Sequence, residues 1–141
     1  MTTIGLDTHK ATLAACAIDD LGAPLAERVF GNDRAGHEAL AAWATELDVE
    51  RVGVEGSGRY GAAAARLLLE TGLTVHEVPP HLSHRERLRT HRPGKSDAGD
   101  ALAIARVTAR ESELPPVRVA GRSEDLGLLL DARDELVAEA T

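Results

Sequence analysis

Two short apolar runs, Thr3-Ile4-Gly5-Leu6-Asp7 and Arg51-Val52-Gly53-Val54-Glu55, each end in an acid, and this repeated pattern restricts the chain more than any other feature. Runs of that length bounded by turn residues read as strands. A further apolar run over 12–18 follows the first after Thr8-His9-Lys10-Ala11, a plausible tight hairpin. Asp19-Asp20-Leu21-Gly22 reads as a turn, and 25–30 as a third strand of an antiparallel meander. Asn32 or Asp33 is placed to cap a helix whose stripe is Gly36, Leu40, Trp43, Ala44 and Leu47. After the strand over 51–55 come a glycine-rich turn, a small-residue helix over 62–70 closed by Gly72, and a fifth strand over 73–78 stopped by Pro79-Pro80. A basic linker and another helix follow. The order predicts an α/β fold, a mixed sheet with helices on both faces. With the first and fourth strands as neighbours, Asp7 and Glu55 would emerge at one edge, where open α/β sheets place their ligands.

Lys95-Ser96-Asp97-Ala98-Gly99-Asp100-Ala101 sets two carboxylates three residues apart at a helix start. Residues so spaced share a helical face, with Cβ atoms roughly 5–6 Å apart. Two readings stand side by side. Ser96 or Asp97 caps the helix while Asp100 favours its positive end, or the pair holds a hard divalent cation with room left for water and phosphate. The charge distribution bears on the choice. The net charge is −7, yet residues 81–110 hold seven basic side chains against three acidic ones. Arg85, Arg87, Arg89, Arg92 and Lys95 lead directly into Asp97 and Asp100. Such positive charge is what a phosphate backbone needs to approach a carboxylate-bound metal; on its own it would read as a solvated face.

Only Phe30, Trp43 and Tyr60 are aromatic, which argues against a platform for stacking bases. Cys16, the one cysteine, sits among Leu13, Ala14, Ala15, Ala17 and Ile18 and reads as a small core residue in a reducing compartment. No apolar run approaches the roughly 18 residues that span a bilayer, and the start lacks a basic leader, so the expected location is the cytoplasm. Residues 1–110 read as one domain and 111–122, with Pro115-Pro116, as a linker. Residues 123–141 carry the stripe Leu126, Leu129, Leu130, Leu136 and Val137, which reads as the start of a helical assembly segment.

Three motifs in order, Gly5-Leu6-Asp7-Thr8-His9-Lys10, Val54-Glu55-Gly56-Ser57-Gly58-Arg59-Tyr60-Gly61 and Gly94-Lys95-Ser96-Asp97-Ala98-Gly99-Asp100-Ala101, resemble the DEDD transposases of the insertion-sequence 110 family. The resemblance covers nearly the whole chain. It implies a RuvC-like version of the ribonuclease H fold, with Asp7, Glu55, Asp97 and Asp100 as catalytic, metal-binding acids. It also implies Mg²⁺, or Mn²⁺ in its place, as cofactor. DNA at element and target junctions is the implied substrate, with Lys10, Arg85, Arg87, Arg89, Arg92, Lys95 and Ser96 on the nucleic acid. A structured guide RNA and assembly into a homo-oligomer through the tail are implied as well. The family's second domain, which supplies a serine nucleophile, has no match in these residues.

The same residues admit rival readings. Gly56-Ser57-Gly58-Arg59-Tyr60-Gly61 fits G-x-G-x-x-G, with Glu77 placed as a ribose-binding acid, but three strands precede it and too little chain follows. Ser57 reads as a turn residue, not a nucleophile. Gly94-Lys95-Ser96 lacks the first glycine of a phosphate loop, having Arg89 there, and His81 with His84 lacks a second ligand pair for zinc. Two functional alternatives remain: a stand-alone junction-resolving nuclease of the same fold, and a module that binds nucleic acid without cutting.

Overall fold

The computed structural model describes residues 1–89, 97–119 and 128–129. Strands β1 (Thr2–Thr8), β2 (Thr12–Ile18) and β3 (Pro24–Gly31) form the expected antiparallel meander. The first hairpin is closed by His9 N–H donating to the Thr12 carbonyl at 2.9 Å. The second is shaped by Asp19, whose Oδ1 accepts from the Leu21 and Ala23 amides, with Gly22 at φ +85° completing the turn.

Asp33 caps helix α1 (Arg34–Glu46) by accepting from Gly36 N at 2.8 Å. This helix returns the chain to β4 (Val49–Glu55), which pairs parallel with β1. Helix α2 (Ala62–Glu70) then leads to β5 (Thr74–Glu77), parallel to β4. The sheet order is β3-β2-β1-β4-β5.

Alternation along the strands divides the core between the two faces. Ile4, Leu6, Val52, Val54 and Val75 pack with Leu40 and Ala44 of α1 and Ala65 and Leu68 of α2. On the other face helix α4 (Asp97–Arg110) lays Ala101 and Ala105 against Ala14, Cys16 and Ile18. Cys16 is fully buried there, as expected of a core residue. Burial of each large aliphatic side chain contributes roughly 1.5–3 kcal/mol, and Ile4 and Leu6 of β1 and Val52 and Val54 of β4 are completely covered.

What fixes the position of α4 is a pair of glycines. Gly5 and Gly53 are direct partners in the β1–β4 register. A Cβ on Gly5 would overlap the Ala105 backbone nitrogen and the Ala101 carbonyl oxygen, and one on Gly53 would overlap the Thr108 hydroxyl. The helix therefore lies in a groove made by two missing side chains, with its backbone almost on the sheet.

Three segments differ from the sequence reading. The basic linker contains helix α3 (Pro80–Arg89), with Pro80 at its first position, where a missing N–H costs nothing. Its inward positions are Ser83 and Glu86, which no apolar pattern reveals. Residues 111–122, read as a linker, pack against the sheet as far as they are described. Leu114 and Val117 are buried, Glu77 N donates to the Pro115 carbonyl, and Val117 N donates to the Val75 carbonyl. Within the tail read as helical from Ser123, Leu128–Leu129 forms strand β7, paired antiparallel with β6 (Arg118–Val119). The rest of that tail lies outside the described residues. Among the described residues no helix is long and apolar enough to cross a membrane.

Candidate active site

Asp7 and Glu55 are in-register partners on adjacent parallel strands. Neighbours in register project to the same face, about 4.8 Å apart along the sheet. That face is the one covered by α4, since Gly5 and Gly53, two residues earlier on each strand, contact it. A hydrogen bond from Thr8 Oγ1 to the Glu55 carbonyl, 2.8 Å, ties the two strand ends together.

Each acid has its own neighbour. Asp7 is 8% exposed, and its Oδ2 lies 3.2 Å from His9 Nε2. Ser83 Oγ of α3 donates to Glu55 Oε2 at 2.9 Å. Asp100 Oδ1 lies 3.5 Å from Arg87 Nε. Burial pushes the Asp7 carboxyl above the usual aspartate range; His9 opposes this, and the charges of Asp100 and Glu55 add to it. Three carboxylates thus share one electrostatic neighbourhood. Among the described residues no three acidic, His or Cys side chains yet close on a point that could hold an ion. Each of the three carboxylates instead faces a partner of its own: His9, Ser83 and Arg87. Asp97 opens α4 one turn before Asp100 and is described by its backbone alone.

The raised Asp7 value has a testable consequence for stability. Because the folded-state value exceeds the unfolded one, the favourable contribution is complete below the ordinary aspartate value and is lost as pH rises through the folded value. Ionised Asp7 therefore weighs against the fold at neutral pH. Asp7→Asn is expected to raise the melting temperature by a few degrees at pH 7, with the gain shrinking toward zero in acid. Melting curves from pH 3 to 8 check this, and equal curves at every pH would remove the claimed strain.

Of the basic residues singled out in the sequence, Lys10 is exposed beside His9, and Arg85 is exposed on α3. Arg87 is committed to Asp100, and Arg89 lies 3.6 Å from Glu86, a buried acid that also receives Arg110 at 2.8 Å. Arg92, Lys95 and Ser96 lie outside the described residues. Three further residues stand at the site: His9 and Ser83, to which the sequence assigns no role there, and Glu77, which it suggests only as a ribose-binding acid. Glu77 accepts from Gly56 N, Ser57 N and Ser57 Oγ, so it organises the turn after Glu55. Those bonds also dispose of two rivals, since Ser57 is buried and Glu77 is already engaged. A cleft of about 500 Å³ between α1 and α2, lined by Arg34, His37, Glu38, Arg66 and Glu70 among others, includes none of the acids on Asp7's face.

A sequence model for transposases, that of the DEDD type named for insertion sequence 110, matches residues 4–141. The chain belongs to this family. It is 31% identical over 137 residues to an uncharacterized protein of insertion element IS116 from Streptomyces clavuligerus, covering 96% of this chain and 34% of that protein. It is 29% identical over 141 residues to an uncharacterized protein of insertion element IS900 from Mycobacterium paratuberculosis, covering 97% and 35% respectively. The chain thus spans about a third of the length of these curated relatives. Among solved structures it is similar to Thermus thermophilus RuvC in complex with a Holliday junction substrate, with TM-score 0.61 and 20% identity over 82% of this chain and 99% of that one. A second RuvC structure from T. thermophilus gives TM-score 0.55 at 19% identity, over 74% of this chain and 91% of that one. The fold of this transposase-family domain is accordingly RuvC-like, within the ribonuclease H class, as the motif resemblance implied.

Proposed function

We propose that this domain is the metal-dependent, DNA-cleaving part of an insertion-element transposase. The observation that carries the reading is the in-register pairing of Asp7 with Glu55 on the face covered by α4, with Asp100 close enough to disturb Asp7. The donor set suits a hard cation: carboxylate oxygens from two strands and one helix, with His9 beside Asp7 and Arg87 beside Asp100 as the cationic or titratable neighbours an ion would displace. Asp7, Glu55, Asp97 and Asp100 would hold Mg²⁺, or Mn²⁺ in its place. Closure would need the side chains to turn from His9, Ser83 and Arg87 toward one another; the Asp7 and Glu55 backbones are already neighbours in register. When bound, the ion would polarise a phosphate oxygen and lower the pKa of a nucleophile beside it.

The chain's own residues do the rest. Ser83 and the turn held by Glu77 fix Glu55, and His9 orients Asp7. Lys10 and the outer side of α3, with His81, His84 and Arg85, present positive or titratable groups beside the acids for a phosphate backbone. Cleavage and exchange of strands at element junctions, guidance by a structured RNA, self-assembly and a cytoplasmic location belong to the same reading and rest on family membership.

Titration of the domain with Mn²⁺, followed by paramagnetic broadening of the Asp7 and Glu55 amides, tests the core of it. Saturable broadening that is weakened at least about tenfold in Glu55→Gln is expected, since one charged ligand is removed. Absence of any cation site would leave a module that binds nucleic acid without cutting. A second reading, junction cleavage by this domain alone, is favoured by the match to nearly the full length of a RuvC chain solved with such a junction. Metal-dependent cutting of a four-way junction by these residues, without a serine domain, would favour it.

A further inference from the structure

Asn32 stands at the bend between β3 and α1, and its one amide group reaches two loops that are distant in sequence. Its Nδ2 donates to the His9 carbonyl and to the Tyr60 carbonyl, both at 2.8 Å. Its Oδ1 accepts from His37 Nε2 at 2.7 Å. Since Oδ1 can only accept, the proton sits on Nε2 of His37. That side chain is buried one turn into α1, and burial keeps its pKa below the usual histidine range. The backbone joins in, with Asn32 N donating to the Ala11 carbonyl at 2.9 Å.

We infer that Asn32, oriented by His37, is a positioning residue that holds the His9 loop and the Gly56–Gly61 loop at a fixed separation and so sets the spacing of Asp7 and Glu55. This rests on the metal-site reading above. The two loops are the direct continuations of the strands that carry the acids, and His9 itself touches Asp7. The Tyr60 carbonyl belongs to the turn in which Arg59 N and Gly61 N both donate to the Gly56 carbonyl. Only a side chain with two amide hydrogens and one acceptor fills all three bonds. Aspartate has the same shape but no hydrogens to give, and would set negative charge against two carbonyl oxygens.

Asn32→Asp is the test, read by amide hydrogen exchange and by Mn²⁺ titration. Exchange at His9, Arg59 and Gly61 is expected to quicken together by about tenfold. Gly22, whose amide bonds Asp19 in the far hairpin, keeps its wild-type rate. Mn²⁺ affinity is expected to fall by a similar factor. Uniform acceleration that includes Gly22, or loops that loosen while Mn²⁺ affinity holds, would overturn the assignment. Should Asn32→Asp fail to fold, His37→Leu frees the amide to rotate and is expected to loosen the same three positions, whereas His37→Gln, which can still donate, restores them. A wild-type domain that binds no Mn²⁺ would remove the metal reading alone, because the exchange pattern still reports whether Asn32 couples the two loops.

Discussion

Gly5→Ala is expected to destabilise the domain by about 3 kcal/mol or more, toward the severe end for adding one methyl group to a core. The new Cβ would overlap backbone atoms of α4, the Ala105 nitrogen and the Ala101 carbonyl oxygen, and would lie 2.8 Å from Ala105 Cα. Backbone cannot rotate out of the way, so the whole helix must lift from β1. The lift would also separate Ala101 and Ala105 from Ala14, Cys16 and Ile18, and would carry Asp100 away from Asp7. Gly53→Ala is the instructive comparison. Its Cβ meets chiefly the Thr108 side chain, with Val78 Cγ2 at 3.0 Å. Thr108 can turn its hydroxyl aside at the cost of its 2.7 Å bond to the Ile104 carbonyl, leaving its Cβ, 2.9 Å away, to be relieved by a small shift, so a smaller loss of about 1–2 kcal/mol is expected. Urea denaturation ranks the two, and adding Thr108→Ala should recover part of the second but none of the first. An unshifted midpoint for Gly5→Ala would mean that α4 is not seated on the glycine pair.

The strand ends that carry Asp7 and Glu55 were legible because a buried strand leaves its own local mark, a short apolar run stopped by turn residues. The order of elements makes β4 parallel to β3 and so to β1, since a helix between two strands brings them back parallel, but it leaves open which strand β4 joins; that neighbour is β1. Helix α3 was not legible for the opposite reason. Its buried positions are Ser83 and Glu86, and its only aliphatic residues are Leu82 and Leu88, the second of them exposed. Polar groups buried by hydrogen bonds and ion pairs leave no hydrophobic period to read; the surviving signal is Pro80, which stops a strand and also starts a helix. Pro115-Pro116 misled in a related way. Proline removes a donor, but the Pro115 carbonyl still accepts from Glu77 N, so the segment runs along β5 instead of leaving the sheet. Glu77 shows the limit of spacing arguments. Twenty residues after the glycine turn it suggested a ribose contact, whereas its partners are the Gly56 and Ser57 amides of that very turn. Contacts of that kind join distant segments and exist only once the sheet has formed.

Glu55→Gln in a full-length transposase carrying this domain is expected to cut metal-dependent strand cleavage on the order of a thousandfold, the equivalent of roughly 4 kcal/mol of lost transition-state stabilisation. The substitution keeps the shape of the side chain. Ser83 Oγ can still donate to the remaining carbonyl oxygen, and the Thr8 bond to the residue 55 backbone is untouched. Folding should therefore survive, with an unchanged circular dichroism spectrum and a melting temperature within a few degrees. Ser83→Ala separates holding from chemistry. It deletes one hydrogen bond to the carboxylate, a loss of about 1–2 kcal/mol, so activity should drop only about tenfold while the cation still binds. Asp7→Asn should match Glu55→Gln in cleavage yet differ in stability, being more stable than wild type at neutral pH because the strained charge is gone. Asp97→Ala and Asp100→Ala extend the series to the helix. Should Asp97→Ala cut at the wild-type rate, the helix would contribute Asp100 alone; should Glu55→Gln do so, the paired strand ends would hold no catalytic cation, and Arg87 beside Asp100 would be no more than a structural ion pair.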